Sequence, residues 1–66
     1  MNAEDKIRND LPNMKIDKIE KLDHYYRINA YFYGEFFSCP LDYSIEGFVR
    51  YEDKMFLILT IKSKDL

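Results

Sequence analysis

Few side chains in this sequence could carry chemistry. Cys39 and His24 are the only cysteine and histidine. A nucleophilic cysteine needs a nearby base or positive charge to favour the thiolate, and usually a histidine to move protons. His24 lies fifteen residues from Cys39, and no local pattern joins them. The expectation is a buried apolar thiol and a solvated turn histidine, both dispensable. One cysteine and one histidine also fall short of the four ligands of a zinc site, and a lone cysteine forms no intrachain disulfide.

The carboxylates stand next to or near basic residues or turns, except Glu35, Asp42 and Glu46. Acid–base catalysis needs a cleft that shifts their pKa values, and a chain this short has little volume for one beside its core. Gly34 and Gly47 are the only glycines, so there is no glycine-rich phosphate loop. The reading is a non-enzyme without cofactor or metal.

The one pattern with binding chemistry is Tyr25, Arg27, Asn29, Tyr31 and Tyr33, at every second position of one stretch. On a strand these five share a face. Clustered Tyr and Arg have the composition of a protein–protein hot spot. Flat rings with a guanidinium and an amide between them can also stack unpaired bases. The bland alternative is that these tyrosines fill a sheet's second face beneath a helix. A second group, Phe36, Phe37, Phe48 and Phe56, is the candidate for association.

Length decides how such a face can be held. Sixty-six residues make one domain, 1–66, that buries a modest fraction of its surface and has a thin stability margin. With disulfide and metal set aside, an efficient core or a partner must supply the rest. The 47% hydrophobic and 17% aromatic content is too rich for disorder, and a homodimer is one of the two remaining ways to gain stability.

Net charge is −2, from 10 basic and 12 acidic residues of mixed order. That argues against a basic binder of duplex nucleic acid and an acidic DNA mimic, and leaves single-stranded nucleic acid as the alternative to a protein partner. The longest apolar run, Met55 to Leu59, is far short of a membrane span. No apolar segment follows the first residues, so a secretory signal is not expected, and the unpaired cysteine fits a reducing, cytoplasmic setting. Usage rich in Lys, Ile, Asn, Asp and Tyr is that of AT-rich coding sequence, common in bacteria and their phages.

Composition and periodicity give a mainly β (α+β) fold: a short N-terminal helix, then an antiparallel meander of about four strands, with an SH3- or OB-like half-barrel as one closure. Residues 3–11 suit a helix capped by Asn2, with Ile7 and Leu11 on one side and Pro12 ending it. Residues 14–22 have a helical recurrence of Ile16, Ile19 and Leu22. A turn at Asp23-His24, however, would pair Ile19 with Ile28, Glu20 with Arg27 and Lys21 with Tyr26, which favours a strand bulged near Asp17. Tyr25 to Tyr33 is the strongest strand, with Glu35 to Ser38 as its continuation past Gly34 and a loop from Cys39 to Asp42.

Residues 44–62 read as a hairpin with a three-residue tip at Glu52-Asp53-Lys54. That tip pairs Tyr51 with Met55, Val49 with Leu57, Gly47 with Leu59 and Ile45 with Ile61. The core residues would be Val49, Leu57, Leu59 and Ile61. The other face, with Phe48, Phe56 and Ile58, would need a cover, either the helix or a second subunit. Residues 63–66 read as a frayed tail.

Overall fold

A computed structural model describes residues 2–66. Helix α1 runs Ala3–Asp10. Asn2 caps it, its side-chain oxygen accepting from the Asp5 amide at 2.9 Å, and Glu4 and Asp5 sit in the first turn, where the helix dipole favours acids. Four strands follow: β1 (Met14–Lys21), β2 (Tyr25–Tyr33), β3 (Tyr43–Tyr51) and β4 (Lys54–Lys62). All neighbours are antiparallel. Among the described residues no helix is long and apolar enough to cross a membrane.

The spatial order is β1-β2-β4-β3. It departs from a simple meander because β4 inserts beside β2 and pushes β3 to the outer edge. The sheet is open, with β1 and β3 as its edges.

The first hairpin has the expected register. Ile19 faces Ile28, Glu20 faces Arg27 and Lys21 faces Tyr26, and the ladder shifts between Ile16 and Lys18. The bulge residue Asp17 returns Ile16 and Met14 to the core side, where they pack on the buried cluster.

The second hairpin corrects the expected register. Its tip has two residues, Glu52 and Asp53, so Tyr51 pairs with Lys54, Val49 with Phe56 and Phe48 with Leu57. Glu52 takes φ 55°, the positive angle that lets a two-residue turn match the strand twist. Val49 is therefore not a core residue; it is 61% exposed on the opposite face. A second shift, between Ile45 and Gly47, restores the parity and pairs Ile45 with Leu59 and Tyr43 with Ile61.

One side of the sheet holds the core. Ile7 from α1 and Leu11 at its C-cap pack with Ile28, Ala30, Met55, Leu57, Leu59, Ile61 and Tyr43. Tyr43 fastens the helix to β3, its hydroxyl donating to Asp10 Oδ2 at 2.8 Å, while Lys6 reaches the same carboxylate at 3.1 Å.

Two further expectations fail. Glu35 to Ser38 forms no strand. Gly34, at φ 155°, turns the chain where any Cβ would sit 2.8 Å from the Phe32 ring. The tail is not frayed: Ser63–Asp65 forms a 3-10 turn, Ser63 donates to the His24 carbonyl at 2.9 Å, and Leu66 packs on the core.

Candidate functional site

Strand β2 positions the site. Ile28 and Ala30 are fully buried under α1, and alternation therefore sends Tyr25, Arg27, Asn29, Tyr31 and Tyr33 to the other side. All five predicted residues share one face, and the helix lies on the opposite one. The bland alternative of tyrosines beneath a helix does not hold for this chain.

Neighbouring strands complete the face through their register. Strand β4 places Phe56 opposite Tyr31, Ile58 opposite Asn29 and Thr60 opposite Arg27. Beyond it, Val49 pairs with Phe56 and Tyr51 with Lys54. Tyr31 and Phe56 sit with ring centroids 5.2 Å apart at 51°, a tilted contact of the favourable kind. The Lys54 ammonium lies 5.1 Å from the Tyr31 centroid and 5.9 Å from that of Tyr51, within cation–π range. Tyr33 and Tyr51 are more than half exposed.

The polar members are loosely held. Arg27 Nε is 3.5 Å from Glu46 Oε2 and Arg27 Nη2 is 3.5 Å from the Tyr25 hydroxyl, at the limit of useful hydrogen bonding. Among the described residues nothing hydrogen-bonds to the buried Asn29 Oδ1, at a cost of about 1–3 kcal/mol. Lys15, Lys18, Arg27, Lys54 and Lys62 stand on this face by register, against Glu20 and Glu46. The face thus carries a basic surplus although the chain is net −2, a segregation that composition could not reveal.

Phe56, Ile58, Lys54, Val49 and Tyr51 were not read as part of this surface. The available signal was the parity of β4, which groups Lys54, Phe56, Ile58 and Thr60, but nothing local announces that β4 pairs with β2. The four association candidates do not form one surface. Phe56 is on the open face, while Phe48, 64% exposed, points to the helix side at the β3 edge. Phe36 stands out of the loop, and Phe37 packs inward on Phe32 with centroids 5.5 Å apart.

Cys39 is half-buried, its thiol donating to the Tyr43 carbonyl at 3.3 Å. Burial pushes its pKa up, which is the wrong direction for a nucleophile. His24 is exposed at the β1–β2 turn. It borders an open recess at that end of the sheet, shared with Tyr25, Asp42, Glu46, Thr60 and Lys62. Among the described residues no cluster of His, Cys, Asp and Glu could hold a metal ion. Comparison with protein-family models, with curated proteins and with solved structures finds no match.

Proposed function

We propose that this protein is a small binding module that docks a protein partner on the open face of its sheet, without a catalytic step. The observation that carries the reading is the bare aromatic cluster Tyr31, Phe56 and Tyr51 with Lys54 above it, on the side of the sheet away from α1. Tyrosine suits this position because its ring can be covered while its hydroxyl stays wet. The basic surplus on the face fits a partner whose contact region is rimmed with acids, since complementary charge steers encounter and fixes orientation.

A second reading, a single-stranded nucleic acid, is favoured by one feature. Tyr31 and Phe56 are ladder partners on the two central strands, with Lys54 over the Tyr31 ring and Lys15 opposite Tyr31 in register, the parts of a base-stacking platform.

The test uses the whole chain as bait in lysate of its source cells, beside a Tyr31→Ala variant verified as folded. A protein held by the wild type and lost by the variant supports the reading; equal capture by both overturns it. Oligonucleotide binding that is lost in the variant and falls steeply with salt would replace it with the second reading.

A further inference from the structure

The two edges of the sheet are guarded very differently. Strand β1 alternates Lys15, Asp17, Lys18, Glu20 and Lys21 along its length and carries a bulge, which are the usual defences of an edge against pairing with another chain. Strand β3 has a bulge of its own, between Ile45 and Gly47, but past it Arg50 is the one charged side chain. Ile45, Phe48, Val49 and Tyr51 are 44–64% exposed along it. Its two charged side chains are drawn onto their own chain: Glu46 to Arg27, and Arg50 Nη2 to the carbonyls of Gly34 and Glu35, each at 3.1 Å.

The backbone of β3 is likewise divided. At its start Tyr43 is satisfied by the loop, its amide donating to the Pro40 carbonyl at 3.2 Å and its carbonyl accepting from Cys39. Past the bulge the strand is regular from Gly47 to Tyr51. Because Tyr51 and Lys54 flank a two-residue turn, they form a hydrogen-bonded pair, so Val49 and Gly47 also bond toward β4. The amides and carbonyls of Phe48 and Arg50 then point outward, at the open edge of the sheet.

We infer that a second copy of this chain pairs with that edge, β3 against β3, antiparallel about a two-fold axis at Val49. This register joins both outward residues: Phe48 of each copy exchanges backbone hydrogen bonds with Arg50 of the other. Val49 then meets Val49 at a closely spaced, non-hydrogen-bonded position, and Tyr51 comes opposite Gly47. Gly47 has nothing within 4 Å of where a Cβ would be, so a tyrosine ring from the second copy has room to lie over it, a known compensation for glycine in a strand. On the helix side Phe48 meets an Arg50 guanidinium already fixed by two carbonyls, a stacking arrangement. No like charges oppose each other between Gly47 and Tyr51; the bulge at one end and the turn at the other close the ladder.

The result is a continuous eight-stranded sheet whose open faces lie side by side. The contact is short, below the roughly 1,000 Å² of a tight interface, so a micromolar dimer is expected. It shares Val49 and Tyr51 with the proposed docking face but rests on the β3 edge rather than on that reading.

Analytical ultracentrifugation across the micromolar range tests this on the full chain, with Val49→Lys at the centre of the contact and Phe56→Lys on the open face. The expected result is a concentration-dependent dimer for the wild type and Phe56→Lys, and a folded monomer for Val49→Lys. A Val49→Cys variant in a Cys39→Ala background should cross-link on mild oxidation, because closely spaced antiparallel positions suit disulfide geometry. A wild type that stays monomeric throughout overturns the inference. So does a dimer that survives Val49→Lys, or one that Phe56→Lys alone dissolves.

Discussion

On the helix side of the sheet, Ile28, Leu57 and Leu59 are at most 1% exposed and Ile7 closes over them. On the opposite side, Tyr31 and Phe56 are half-buried against each other with Lys54 over the Tyr31 ring, and Tyr51 and Tyr33 are open to solvent. The two faces come from the same strands, β2 and β4, at alternate positions. What separates them is the cover: α1, with Leu11, Phe37 and Leu66 beside it, packs over one side of these two strands. In a domain with so thin a margin, side chains on the sealed side hold the fold, and side chains on the bare side are free to be chosen for contact. That contrast can be tested at graded strength.

The largest effect belongs to the sealed face. Leu57→Ala removes a side chain that is 1% exposed and should cost about 2–5 kcal/mol, enough to unfold much of a small domain. Urea unfolding measures it; a loss below about 1 kcal/mol would mean that the helix side is not the core.

Tyr43 comes next, since it ties the cover to the sheet. Burial first, and then the hydrogen bond and negative charge of Asp10, push its pKa well above the ordinary tyrosine value. The folded form therefore holds the proton more tightly than the unfolded chain. The stability this gives is fully present below the unfolded tyrosine pKa of about 10 and is lost as pH climbs past it. Tyr43→Phe should cost about 1–2 kcal/mol near neutrality, as loss of a bond to a charged acceptor does. Its deficit against the wild type should be constant up to about pH 10 and shrink above that. Unfolding free energies of both proteins across neutral to alkaline pH check this, and a deficit independent of pH would remove Asp10 as the anchor.

Much of the sealed face could be read from local pattern, because alternation in β2 and like-with-like pairing across the Asp23-His24 turn leave one good register for β1. The second hairpin was misread by one residue because its turn lacks the usual glycine: Glu52 itself adopts φ 55°, and no residue type announces that. The segment after Gly34 resembles a strand because of its two phenylalanines, but Gly34 turns the chain at φ 155°, where a Cβ would sit 2.8 Å from the Phe32 ring. The site was half legible. Period two placed its five β2 residues on one face, but Phe56, Lys54 and Val49 join them only through pairing of β2 with β4, some thirty residues apart in sequence. Contacts that distant leave no mark on local composition, and the same holds for the basic surplus they assemble.

The smallest stability effect belongs to the bare face, and it separates the two faces most sharply. Arg27 is half-buried on that face, with its ion pair to Glu46 at 3.5 Å and its bond to Tyr25 equally long. Exposed pairs of this kind contribute about 0–1 kcal/mol, so Arg27→Gln should leave the unfolding free energy within about 0.5 kcal/mol of the wild type. Its effect on binding should be of another order. A planar guanidinium between Tyr25 and Asn29 can stack and donate several hydrogen bonds at once, which an amide of similar length cannot replace. If it meets an acidic partner, its loss should weaken the complex by about 2 kcal/mol or more and slow association at low salt. Titration of the captured partner against wild type and Arg27→Gln, with unfolding measured on the same samples, gives both numbers. Equal affinity at equal stability would leave Arg27 outside the contact and move the docking surface toward the Tyr31–Phe56–Tyr51 end. A large stability loss would instead show that this face, too, is needed to hold the fold, and the distinction between the faces would fail.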